Sequence, residues 1–128
     1  MRARLILIVT AALAATACGP SQPAKPKQPI VVRSAEQDQL HRLNPMNRDI
    51  AMKRAIYASG YSCKRVERSG YVAEYKNMSM WTARCADKAE WAVFVGPDGT
   101  VQVRRCEDLA RFGLPACIIN PGGAAKPT

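Results

Sequence analysis

Apolar residues change their spacing several times along this chain, and each change marks a different kind of segment. Leu5 to Ala17 is an uncharged, mostly apolar run of thirteen residues preceded by Arg2 and Arg4. A stretch punctuated by prolines follows, and apolar positions return at helical spacing from Ser34 to Ala58. From Tyr61 the period shortens to two, as in strands whose successive side chains point to opposite faces. The chain closes on "NPGGAAKPT" from Asn120, a composition that buries too little apolar surface to order itself.

The helical stretch divides in two. Ser34 with Gln37 three residues on forms a capping box, so "SAEQDQLHRL" predicts a short helix ending near Leu43. Asn44-Pro45 supplies an N-cap and a proline suited to the first helical position, and Ala58-Ser59-Gly60 supplies the stop. Within "MNRDIAMKRAIYA", Ala51, Ala55 and Ala58 share one side, Met52 and Ile56 the next, and Ile50 and Tyr57 stand apart. That scatter predicts a main helix covered on more than one side, with Lys53 and Arg54 reaching water along their stems. His41, the single histidine, falls in the polar segment before it and reads as a solvated surface side chain.

Four short runs then carry strand signals: "CKRVER", "MSMWTARC", "EWAVFV" and "TVQVRRC". Gly96-Pro97-Asp98-Gly99 is the clearest turn, Ala86 to Lys88 is a tighter one, and Ser69-Gly70 is read as the point where the first strand turns. The fold expected is α+β, one main helix packed on a four-stranded antiparallel meander. Strand parity puts Trp81, Ala83, Cys85, Trp91, Val93, Val95, Val101 and Val103 on the face beneath the helix. The other face carries Met80, Thr82, Arg84, Ala92, Phe94, Gln102 and Arg104. There Arg84 and Arg104 flank Phe94, a candidate face for an anionic ligand, with Arg105, Arg111, Lys64 and Arg68 toward the rim. The plain alternative is a wet sheet face on which arginine stems cover the ring.

The N-terminal run changes the picture from fold to address. Positive start, apolar stretch and small residues before Cys18 follow the layout of a secretory signal peptide, and the stretch is shorter than the roughly 20 apolar residues of a membrane span. Ala15-Thr16-Ala17 is an A-x-A cleavage site, and the same residues followed by Cys18 resemble the lipobox of bacterial lipoproteins. Ala15 stands where leucine is usual in that family. The resemblance implies that Cys18 becomes an acylated N-terminus, and Gly19 after it implies sorting to the outer membrane. Five cysteines cannot all pair in an exported domain; giving Cys18 to lipid leaves Cys63, Cys85, Cys106 and Cys117, an even set. Cys106 with Cys117 would close a local loop over "EDLARFGLPA", and Cys63 with Cys85 would tie the first strand to the end of the second. Two other connectivities are open to four cysteines.

Pro20, Pro23, Pro26 and Pro29 recur every third residue, the repeat of a polyproline II helix. At about 3.1 Å per residue, such a tether spans roughly 40 Å. The expected organisation is thus a signal peptide over 1–17, a lipid anchor and proline-rich tether over 18–33, a small domain over 34–119 and a tail over 120–128. Nineteen Lys and Arg less Arg2 and Arg4 leave 17 against ten Asp and Glu, a net charge of +7 on the mature chain. That excess favours anionic partners such as lipopolysaccharide, anionic lipid or an acidic envelope protein.

Candidate chemistry adds little. The cysteine separations of 22, 21 and 11 residues suit neither a C-x-x-C thiol enzyme nor closely paired zinc ligands, so no metal or other cofactor is expected. No G-x-S-x-G, H-E-x-x-H or glycine-rich phosphate loop occurs. The acidic residues mostly fall at turns, strand ends or a helix start. Nucleic acid is not an expected partner for an exported chain. The "GYSC" step, a tryptophan ahead of the second strand's cysteine and "VGPDGTVQV" resemble small exported α/β proteins of bacterial envelopes, a likeness that implies fold more than activity. The expectation is a non-enzymatic lipoprotein facing the periplasm, a binding or assembly module at the membrane surface. The alternative is an inhibitor of an envelope-directed hydrolase. Lipoprotein inhibitors of c-type lysozyme are similar in size and anchoring, but their inhibitory segment has no match here and a basic body complements a basic lysozyme poorly.

Overall fold

The computed structural model describes residues 33–122 together with Gly19. The signal run, Cys18, the proline tether and the last six residues, 123–128, lie outside the described residues. Helix α1 (Ala35–Arg42) begins at the predicted capping box: the Ser34 hydroxyl accepts from the Gln37 amide at 3.3 Å, and Gln37 Oε1 accepts from the Ser34 amide at 3.0 Å. The same glutamine is buried and donates through Nε2 to the Asn77 and Val95 carbonyls, each at 2.9 Å. One side chain thus caps the helix and ties it to two strand ends. Helix α2 (Pro45–Ala58) starts with Asn44 accepting from the Asn47 amide at 2.9 Å and buries Met52 and Ile56.

Four strands follow, β1 (Val66–Tyr75), β2 (Met78–Cys85), β3 (Glu90–Val95) and β4 (Val101–Arg105), paired antiparallel in the order β1-β2-β3-β4. The fold is α+β, a four-stranded meander with the two α-helices on one face and two disulfides. The first strand departs from its expected position. It begins later, runs through Ser69-Gly70, and turns only at Lys76-Asn77, where φ is +46° and +63°. Two successive positive φ values define the primed turn whose twist suits a two-residue hairpin. Gly70 serves close approach instead: a Cβ there would stand 2.6 Å from Ile119 Cγ2. The turns at Ala86–Lys88 and Gly96–Gly99 are where they were expected. In the latter, the Asp98 carboxylate accepts from the Thr100 amide at 3.1 Å and hydroxyl at 2.7 Å.

Both faces of the sheet are covered. Beneath α1 and α2 lie Trp81, Ala83, Cys85, Trp91, Val93 and Val95, as parity predicts, and Val103 is partly buried with them. On the other face a 3-10 helix (Cys106–Phe112), closed by Gly113 at φ +64°, lays Leu109 against Val72, Met80, Ala92 and Phe94. The chain then returns toward β1, where the Asn120 amide, expected in the tail, donates to the Tyr71 carbonyl at 2.8 Å. Disulfides join Cys63 to Cys85 and Cys106 to Cys117. Among the described residues, no helix is long and apolar enough to cross a membrane.

Candidate interaction surface

Strand pairing sets Phe94 opposite Met80 and Gln102, Arg104 opposite Ala92, and Arg84 opposite Arg68 and Glu90. The parity that nominated Arg84, Phe94 and Arg104 therefore holds, but the open patch does not. Phe94 is 2 % exposed because Leu109 and the C-terminal segment lie over it. Arg104 turns its guanidinium to Phe112, 5.1 Å from the ring centroid. Near the expected rim, Arg105 lies 4.9 Å over Trp91 and bonds Glu107 at 3.1 Å, and Arg111 pairs with Asp108 at 3.5 Å. The aromatic is core; Arg104 and Arg111 are held by neighbours on that side and Arg105 by Trp91 on the helix side, while Arg84 is exposed opposite Arg68 and makes no ion pair among the described residues.

Cys63, Cys85, Cys106 and Cys117 are all in disulfides, and Cys18 lies outside the described residues. A cleft of about 650 Å³ beside the second bridge is lined by charges of both signs, among them Asp87, Lys88, Glu90 and Arg105. Lys88 is paired with Glu67 at 3.0 Å and Arg105 with Glu107, which leaves Asp87 and Glu90 in the cleft without an ion pair among the described residues.

His41 is a second correction. Far from solvated, its side chain is 2 % exposed, wedged between Tyr71 and Trp81 with ring centroids 4.7 Å from each. Arg33 Nη1 stands 3.3 Å from His41 Nε2, and a guanidinium can only donate, so the ring proton sits on Nδ1. Nδ1 finds no partner among the described residues. Burial first, and the Arg33 charge second, push the imidazole down to about 4, against the smaller opposing effect of Asp38. Glu74 beside it accepts from Ser79 at 2.8 Å and Tyr71 at 3.1 Å, and burial with that carboxylate's charge pushes the phenol up to about 12. The cluster pins α1 to β1 and β2; a neutral imidazole closed off from solvent has no substrate to serve as a base.

The unsatisfied surface is on α2. The helix is covered on one side only: Met52 and Ile56 face the sheet, while Met46 is 68 % exposed, Ile50 43 % and Tyr57 78 %. Met46, Ile50, Lys53 and Tyr57 follow one another at i, i+4, i+7 and i+11, a single stripe about 16 Å long. Arg54 borders it, and Lys64 and Arg65 rise beside its start. Two shallow clefts share Ile50 and Lys53, one of about 440 Å³ with Arg54 and Tyr57 and one of about 300 Å³ with Met46, Lys64 and Arg65. Lys53, Arg54 and Lys64 make no ion pair among the described residues, and the one acid near the stripe, Asp49, accepts a short hydrogen bond from the Ser69 hydroxyl. The surface is therefore apolar and cationic at once. Its signal was present in the sequence as the two residues, Ile50 and Tyr57, that fitted neither apolar side. Behind α2, an apolar groove of about 470 Å³ runs between α1, α2 and β4, lined by Leu40, Leu43, Met52, Ala55, Val95 and Val101.

Comparison of the chain with protein-family models, curated proteins and solved structures finds no match at the level of sequence family, relative or fold.

Proposed function

We propose that this protein is an exported, lipid-anchored envelope protein whose small domain acts, without catalysis, as a binding or assembly module at the membrane surface. The observation that carries the reading is the outer face of α2, where Met46, Ile50 and Tyr57 stand exposed beside Lys53, Arg54 and Lys64, which make no ion pair among the described residues. A solvated helix face rarely spends three large apolar residues in one stripe unless something covers them. The cations select an anionic partner, and the net charge of the mature chain points the same way. Support for the address comes from the signal-like run, the lipobox resemblance at Cys18 and the pairing of the four remaining cysteines, since disulfides persist in oxidising compartments. Cys18 is the lipidated residue in this reading, with the domain on the periplasmic side of the outer membrane.

Intact mass of the exported protein tests the address. The expected mass begins at Cys18 with an acyl addition and rises by four hydrogens on reduction, two for each bridge. An unacylated Cys18 overturns the anchor. A photo-crosslinker at Tyr57 in growing cells tests the surface, with one at Arg84 on the opposite side of the sheet as comparison. Adducts from position 57 and none from position 84 are expected; equal yields overturn the assignment to α2.

A further inference from the structure

We infer that the occupant of the α2 stripe is the anionic phospholipid bilayer itself, so that the domain lies against the membrane that holds its anchor. The inference rests on the proposed function and names the partner of the same surface.

Three features favour lipid over an acidic protein. The first is the arrangement of the stripe. Met46, Ile50 and Tyr57 run in single file with Lys53 among them and Arg54, Lys64 and Arg65 alongside. Interfacial helices share this pattern, their apolar side chains entering the headgroup and acyl boundary while long cations spread to phosphates on either side. Tyrosine suits that depth, with an apolar ring and a wet hydroxyl. The second is the absence of a socket. Both clefts on this face are shallow and open, whereas a protein partner anchors its hot spots in desolvated pockets. The third is charge. Among the described residues the cations of the stripe lack carboxylate partners, apart from Arg65 at 3.6 Å from Glu67, so bilayer phosphates are the groups that complete them. The tether keeps the domain at high effective concentration beside the surface, so a weak intrinsic affinity is enough.

The test uses the full mature chain carrying Cys18→Ser, which removes the anchor and leaves the domain, with sedimentation against vesicles. Binding is expected to vesicles of equal parts phosphatidylglycerol and phosphatidylcholine, to fall with added salt, and to be lost on phosphatidylcholine alone. Lys53→Gln with Arg54→Gln lowers the partition coefficient about 30-fold, from a contribution near 5-fold per cation at an anionic surface. Tyr57→Ser lowers it several-fold and leaves the salt dependence unchanged. Arg68→Gln with Arg84→Gln removes the same charge from the opposite side of the sheet and leaves binding as in the parent chain. All variants change exposed side chains, and an unaltered disulfide count and circular dichroism spectrum confirm folding. Equal binding to both vesicles, an equal loss from the two charge pairs, or binding to lipopolysaccharide or an acidic protein but not to phosphatidylglycerol overturns the inference. Those results leave the anchored binding module standing, because acylation at Cys18 and the cross-links from position 57 are measured separately.

Discussion

The face of the sheet that meets α1 and α2 and the face that meets the C-terminal segment are both buried, but their covers are of opposite character. The first is covered by two capped helices that bring Leu40, Met52 and Ile56 onto Trp81, Trp91 and Val93. The second is covered by one 3-10 helix and an irregular return, with Leu109 as its fully buried residue and a disulfide holding the loop closed. Regular helices hold a face by repeated apolar contacts, each adding its own burial. A short irregular cover has few such contacts, so a covalent link that restricts its unfolded states has correspondingly more effect.

That contrast can be broken first at Trp81, the largest fully buried side chain. Trp81→Ala is expected to cost about 3–5 kcal/mol in urea unfolding, the range for removing a large aromatic from a packed core. On the other face, Cys106→Ser with Cys117→Ser is expected to cost about 3 kcal/mol, from the chain entropy of a loop this size. The environments of Trp81 and Trp91 stay intact in near-ultraviolet dichroism, because both lie on the helix side. Loss of the tryptophan signal at native conditions would mean that the two faces are not separable.

Acid should weaken the helix face through His41. The folded chain holds His41 down to about 4, below its ordinary 6.5, so between those values the unfolded chain binds a proton that the folded chain does not. Stability is therefore full above pH 6.5 and falls as pH drops toward 4, by up to about 3 kcal/mol from this group. His41→Gln should flatten that dependence, measured as the difference between unfolding midpoints at neutral pH and in mild acid. A smaller effect probes the return of the chain across β1. Gly70→Ala presses a methyl on Ile119 and is expected to cost about 1–2 kcal/mol, and Ile119→Ala in the same chain should recover part of it. The smallest effect belongs to α2's outer stripe, where Ile50→Ser or Tyr57→Ser should change stability by no more than about 0.5 kcal/mol while altering what the surface binds.

Local signals were readable wherever one or two residues decide a backbone conformation. Ser34 with Gln37, Asn44 with Pro45, and the Gly96–Gly99 turn all sit where they were expected. The β1 hairpin was not, because Ser69-Gly70 carries the composition of a turn but serves as a notch for Ile119, a residue far along the chain. Lys76-Asn77 makes the turn with two positive φ values that lysine adopts rarely. Phe94 and His41 were misplaced for a related reason. Strand or helix spacing tells which way each side chain points but not what covers it, and the groups that bury them, Leu109 for one and Tyr71 with Trp81 for the other, arrive from distant strands and from the C-terminal segment.

By itself the sequence determined the helical and strand periods of the domain, both helix caps, two of the three strand turns, the side of the sheet to which the residues of β2 to β4 point, and the even set of cysteines. These depend on bond geometry and on hydrogen bonds within a few residues. Only the tertiary structure decided which surfaces stay open. It closed the sheet face that carries Phe94 and left bare the side of α2 that carries Ile50 and Tyr57, because burial is set by which distant segment arrives to cover a face.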